Sequence, residues 1–287
     1  MMSTIDSTPI ESLDMIRFID PRLLRPLLAT ALLLLLPAFV SAQNTSDVTS
    51  LQSELWRIGG YAGAQVFAYN ADMSGLPGVP SCCPRYQDGS GGGVVFGVAT
   101  EIPVVSRLSA GVRFLFNTYS GELKAEEREL VTSGRDTVTA VFGHTIRVSQ
   151  PALGMDALFS YRAVAGLRVI AGAHADMMIG GTYHQSEEIL APGDIRFEND
   201  SRQRGLYDGD LPNETRVHVA VMGGLRYDLP MNRDKNLLLV PEIDLWQGVN
   251  DLVRGESWKM RGIRAGISFY FIQPGARAPT PLEPGRL

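Results

Sequence analysis

Ile263-Arg264-Ala265-Gly266-Ile267-Ser268-Phe269-Tyr270-Phe271 is the stretch on which the fold turns. Its odd positions are Ile263, Ala265, Ile267, Phe269 and Phe271, all apolar. Its even positions hold a charge, a gap and hydroxyls: Arg264, Gly266, Ser268 and Tyr270. Side chains alternate across a strand, so this segment presents one apolar and one polar face. A soluble sandwich would turn the apolar face inward. A membrane barrel turns it outward to lipid and the polar face into a lumen.

The same rhythm recurs upstream. Leu108, Ala110, Val112, Phe114 and Phe116 alternate with Ser109, Gly111, Arg113, Leu115 and Asn117. Leu153 to Tyr161, Leu167 to Ile179, Val217 to Tyr227 and Leu239 to Leu245 repeat it. Arg57 to Tyr69 and Gly92 to Ile102 are weaker strands, rich in Gly and Ala, whose facing the pattern leaves open. The count is eight, each near the ten or so residues that a tilted membrane strand needs. Short connections fall at Pro103 to Arg107, Ala163 to Gly166 and Leu229 to Asn236. Long ones fall at Asn70 to Gly91, Ser120 to Thr145, Gly181 to Asn213 and Gly248 to Ser257. Short turns at one end and long loops at the other are the outer-membrane pattern, with short turns and both termini in the periplasm. The expected class is therefore an all-β, antiparallel up-and-down transmembrane β-barrel. Glu122 to Val131 and Thr137 to Val148 form a further extended pair that would raise the count to ten. The first arm is too charged on both faces to meet lipid and reads as a hairpin above the membrane.

The flanks fit this reading. Leu27 to Leu36 is an apolar run preceded by Arg17, Arg22 and Arg25 and followed by Val40-Ser41-Ala42. Basic flank, short apolar stretch and small-residue exit make a secretory signal. Residues 1–42 are thus extension and signal, with Met15 the expected start and Gln43 the first mature residue. A periplasmic lead covers 43–55, the barrel 56–271, and a Pro-rich tail 272–287. Thirty glycines suit a sheet that curves to close on itself. The net charge of −5 gives no support to nucleic-acid binding, which favours a basic patch. Mean hydropathy of +0.01 argues against a bundle of membrane helices but not against a barrel, whose alternation averages out.

The rhythm, the signal, the aromatic last strand and the loop Leu76 to Pro84 carry a resemblance over Trp56 to Phe271. The chain resembles the OmpA-like, porin-like eight-stranded outer-membrane barrels in the form found in some environmental bacteria. The resemblance implies outer-membrane lipid as surroundings. It also implies recognition of the strand ending at Phe271 by the barrel-assembly machinery. Relatives often carry a peptidoglycan-binding domain behind a Pro-rich linker such as 272–287. The oligomeric state stays open.

Charges on the polar faces are the candidate site: Arg113, Asp156, Arg162, Arg168, His174, Asp176, Arg226, Asp228, Glu242, Asp244 and Arg264, with Glu101. An eight-stranded barrel has an interior about filled by side chains. Guanidinium forks pair bidentately with carboxylates, and buried charges must pair. The expected arrangement is a packed polar plug, with a narrow gated conduit as the alternative. Arg264 is expected within reach of Glu242 or Asp244 on the preceding strand. His174 and Asp176, with His184, Ser186 and Glu187 above them, do not define a hydrolytic triad. No catalytic residue, cofactor or metal site is expected: four histidines lie dispersed without ligand spacing. Adjacent Cys82 and Cys83 read as a stiffened turn, as a strained disulfide or a reduced pair, with intermolecular linkage as the alternative. Glu187, Glu188, Asp194, Glu198, Asp200, Asp208 and Asp210 make the third loop acidic. Asp208-Gly209-Asp210 falls short of a calcium loop. The leading function is a structural barrel serving envelope integrity or surface interaction. A low-conductance pore for small solutes and an outer-membrane hydrolase are the alternatives.

Overall fold

A computed structural model describes residues 56–81, 85–133, 136–164 and 166–272. The signal and its cleavage point, Cys82 and Cys83, and the tail beyond Ile272 lie outside the described residues. All described residues belong to the unit Ser50–Leu287.

Eleven strands are present among them: β1 Arg57–Met73, β2 Tyr86–Val105, β3 Leu108–Ser133, β4 Asp136–Arg162, β5 Leu167–Met178 and β6 Thr182–Ala191, then β7 Gln203–Asp210, β8 Val217–Tyr227, β9 Leu229–Pro230, β10 Leu237–Gly248 and β11 Ser257–Ile272. Eight of them close a ring in the order β1-β2-β3-β4-β5-β8-β10-β11, and β11 pairs back onto β1 from Arg57↔Ile272 to Asp72↔Ser257. Every pairing is antiparallel. Closure removes the free edges that an open sheet would expose.

The polarity is inverted relative to a soluble barrel. Val66, Phe96, Phe114, Leu153, Phe159, Val221, Leu245, Ile267 and Phe269 are exposed on the outer wall. Arg113, Asp156, Arg168, His174, Asp176, Arg226, Glu242, Asp244 and Arg264 are buried within. This is the architecture of a transmembrane β-barrel: alternation outward to lipid, inward to a polar interior. It also gives β1 and β2 their facing. Tyr61, Gln65, Phe67 and Tyr69 point in, and so do Val95, Ala99 and Glu101.

The charged extended pair is the expected hairpin beyond the belt and adds no strand to the ring: Glu122 to Val131 and Thr137 to Val148 are continuations of β3 and β4, whose register runs without a break from Leu108↔Tyr161 to Ser133↔Asp136. The ring therefore holds eight strands. The stretch from Gly181 to Asn213 is not a plain loop. Its β6 pairs with upper β4 from Ser149↔Thr182 to Val141↔Ala191, and β7 pairs with β6. The inner face of β6 holds Tyr183, Gln185, Glu187 and Ile189, with Gln185 and Glu187 buried, so the segment has no period-two apolar pattern that would mark it as a strand. Upper β3, upper β4, β6 and β7 thus form a four-stranded sheet beyond the apolar belt.

Candidate functional site: the lumenal charge network

Two tiers of charge fill the barrel. The central tier is built by β3, β4, β5, β10 and β11, each with an inward residue at similar height. Arg113 lies opposite Asp156 in the β3–β4 register, and Asp244 lies opposite Arg264 in the β10–β11 register. Arg113 donates Nε to Asp156 Oδ2 at 2.8 Å and also bonds Glu242. Arg264 donates Nε to Asp244 Oδ2 at 3.2 Å and Nη2 to Asp156 Oδ2 at 2.9 Å. Asp156 therefore joins both guanidiniums. His174 bonds Asp156 through Nδ1 and Asp176 through Nε2, the latter at 2.7 Å. Asn117 donates Nδ2 to Asp176 at 2.7 Å and the Tyr119 hydroxyl donates to the same carboxylate. The guanidinium carbon of Arg113 stands 4.7 Å from the Tyr61 ring centroid, a cation–π contact.

Inward glycines give these side chains room. A Cβ on Gly154 would stand 2.4 Å from Asn117 Nδ2 and 2.5 Å from Asp176 Oδ1. One on Gly266 would stand 2.3 Å from the Tyr61 hydroxyl. The glycine abundance of the chain is in part the space its lumenal network needs.

The second tier lies toward the short turns. Arg168 donates Nε to Asp228 Oδ2 at 2.9 Å and Nη1 to Ser109 Oγ at 3.2 Å. Arg57 reaches the same Asp228 oxygen at 3.0 Å. Arg226 bonds Glu101 and donates to Ser160 Oγ at 2.8 Å. Arg162 sits half-buried at the end of β4, opposite Arg168 in the register, at the rim of this tier. Between the tiers, a gap bounded by Glu101, Arg113, Ser160, Arg226 and Tyr270 has about 10 Å³ of free space, room for one water.

Above the central tier the lumen becomes aromatic. Phe67 meets Tyr69 and Tyr119 edge-on at 5.2 and 5.7 Å between centroids. Tyr69 meets Trp258 at 5.2 Å, and Tyr119 meets Trp246 at 6.2 Å. These rings join a core with Leu76, Tyr86, Leu123, Ile146 and Val148 that runs under the upper sheet.

The sequence reading named the charges but not Arg57, Tyr61, Asn117 or Tyr119 as members of the network. Period-two continuation from Arg113 reaches Asn117 and Tyr119, so that signal was available. Arg57 and Tyr61 lie on the Gly-rich strand whose facing the pattern leaves open. Arg264 meets Asp244, while Glu242 goes to Arg113. The extra partner Asp156 comes from the far wall, which no strand-neighbour argument reaches.

His184, Ser186 and Glu187 lie on β6 in the upper sheet, apart from His174. His184 Nδ1 is 2.6 Å from Asp208 Oδ1, and Glu187 takes a two-pronged contact from Arg204 at 2.9 and 2.8 Å. Arg204 also stands 4.3 Å over the Phe197 ring. Burial pushes the His144 imidazole below its ordinary pKa, against the opposing pull of Glu187 and Glu127. Lys124 and Arg147 hold the Glu122 carboxyl below its usual range. No group of His, Cys, Asp and Glu with metal-binding geometry occurs among the described residues.

No protein-family model matches the chain, and no curated protein matches it in sequence. Several solved structures resemble it weakly. Ail, the attachment invasion locus protein of Yersinia pestis, shares 8% identity at a TM-score of 0.30, covering 75% of this chain and 98% of its own. Neisserial surface protein A shares 9% at 0.33, covering 76% and 97%. The outer membrane protease OmpT of Escherichia coli shares 8% at 0.30, covering 76% and 97%. The barrel assignment rests on the chain's own strand pairing and inverted polarity.

Proposed function

We propose that this chain is an outer-membrane barrel of Gram-negative type with a closed lumen, whose work lies in envelope integrity and in surface interaction through its projecting sheet. The observation that carries this reading is the lumenal network, whose charges bond one another across the barrel instead of lining a passage. Short turns and both chain ends then lie in the periplasm, and the four-stranded sheet lies outside the cell. Outer-membrane lipid surrounds the belt, and the assembly machinery engages the last strand through Phe271. The reading includes no enzymatic activity.

Two measurements test it. The protein should fractionate with outer membrane and migrate faster on a gel before boiling than after. In planar bilayers it should pass little or no current. Periplasmic recovery, or the lack of a heat-dependent shift, sinks the barrel reading. Stable channels in the unmodified protein would favour the low-conductance pore for small solutes, and the single-water gap between Glu101 and Arg226 is where that passage would begin.

A further inference from the structure

The upper sheet has two ends, and they differ. Strand β2 pairs with β3 only as far as Gly89↔Leu123. From Lys124 to Ser133 the described pairing of β3 is with β4 alone, in one-to-one register without a bulge. A strand whose second neighbour is missing turns alternate N–H and C=O groups to solvent, a template for another chain. At the far end, β7 is interrupted by a register shift opposite Gln185/Glu187, and Gly205 adopts φ 61. A bulge twists an edge away from further pairing. The straight, open edge is therefore that of β3.

Its side chains say what would fit. Glu122 is engaged by Lys124 and Arg147, and Glu127 faces His144 at 3.7 Å. Glu126 and Glu129 are exposed, and no ion pair among the described residues engages either. Leu130 is 75% exposed on the same face as Glu126. Directly opposed like charges destabilise a strand pair and opposite charges stabilise it.

We propose that the β3 edge from Lys124 to Ser133 accepts, as an added strand, an extended cationic segment of another protein. This rests on the reading of the chain as a closed barrel with an outward sheet. The added strand sets Lys or Arg against Glu126 and Glu129, on opposite faces, and an apolar residue against Leu130. A second copy of this chain fits poorly. In one membrane all copies point the same way, so the antiparallel mate for β3 on a neighbour is β7. That strand is bulged and carries exposed Asp208 and Asp210, either of which would repel a glutamate set opposite it. Parallel β3–β3 pairing would set glutamates beside glutamates.

The test uses the full chain in detergent micelles and three labelled peptides of matching length. One carries two lysines three residues apart, with valine directly before the first of them and threonine elsewhere, so that lysines meet Glu126 and Glu129 and valine meets Leu130; one keeps the lysines but has proline for threonine, and one has glutamate for lysine. Proline cannot supply the ladder's N–H groups. The first peptide should bind and slow hydrogen exchange within 124–133. The proline peptide should bind at least about tenfold more weakly and the glutamate peptide not at all. Glu126→Lys with Glu129→Lys should weaken the first peptide about tenfold. Equal binding of the proline peptide, protection confined to other strands, or no binding of the lysine peptide overturns the proposal. Heat-modifiable mobility of the same sample reports the barrel separately. If the gel shift persists while binding fails, only strand addition falls.

Discussion

One strand of this protein crosses two solvents, and its two halves read in opposite ways. On lower β4 the outward residues are Leu153, Met155 and Phe159, and the inward ones include Asp156 and Ser160. On upper β4, with the same parity, the outward residues are Thr145, Arg147 and Ser149, and the inward ones are Phe142, His144, Ile146 and Val148. Strand β3 reverses likewise, from outward Phe114 and Phe116 with inward Arg113 to outward Lys124 and Glu126 with inward Leu123. Nothing in the backbone changes at the crossover, since the β3–β4 register is continuous there. The solvent changes. Against lipid, apolar surface goes outward and charges must find partners within. Against water, apolar surface goes inward and charges go out.

The largest effect should come from breaking the inward pairing of the lower half. Arg264→Ala strands Asp244, whose remaining cation, Arg113, is 3.9 Å away. Removing one partner of a buried pair costs about 3–5 kcal/mol. Unfolding in urea should register that loss, and bilayer recordings should show raised basal current. Adding Asp244→Asn should recover much of both, because Asp156 keeps Arg113 and His174. Unchanged stability and current in Arg264→Ala would mean a hydrated lumen in which this charge needs no partner.

Next comes the outer wall. Ile267→Arg, near the middle of the belt, should cost about 2–4 kcal/mol, and Phe271→Arg at its rim only about 0–1. Thr145→Arg, outward on the water-exposed half of β4, should fall within about 0.5 kcal/mol of zero. Urea titrations of all three in lipid vesicles make the comparison. Equal small effects would mean that no depth-dependent lipid boundary exists and that inside and outside are interchanged.

That crossover also explains what could be read from the sequence. In the belt, polarity and parity agree over many residues, so Ile263 to Phe271 and Leu153 to Tyr161 declared their facing. Eight strands, both end types and most lumenal charges followed. In β1 and β2, glycine and alanine on both faces carry little polarity, so Arg57, Tyr61 and Glu101 became certain only once the β1–β2 and β1–β11 registers were known. In β6 polar residues occupy both faces, with Gln185 and Glu187 inward and His184 and Glu188 outward, and β7 is polar along most of its length. Such a segment looks like a solvated loop unless its partner on β4 is known. Bonds across the lumen, such as Arg264 to Asp156, depend on ring closure, which no local pattern encodes.

The smallest effect expected is a pH dependence confined to the upper sheet. His144 is buried on the inner face of β4. Glu127 and Glu129 on β3, Glu187 on β6 and Arg204 on β7 are the charged groups around it. Burial dominates and holds its pKa below the ordinary value, so the fold favours the neutral ring. A group whose pKa is depressed on folding supports the fold above its unfolded pKa and loses that support as pH falls through the folded value. The upper sheet should therefore loosen on going from about pH 8 to about pH 5, across the ordinary histidine range. The lower barrel should not follow. Trypsin cutting after Lys124 or Arg128 reports the sheet, and heat-modifiable mobility reports the barrel. Cleavage should rise a few-fold at the acid end, and His144→Gln should flatten the difference. An acid response that persists in His144→Gln would assign the effect to the surrounding carboxylates, and loss of the gel shift over the same range would mean that the two halves do not respond to their solvents separately.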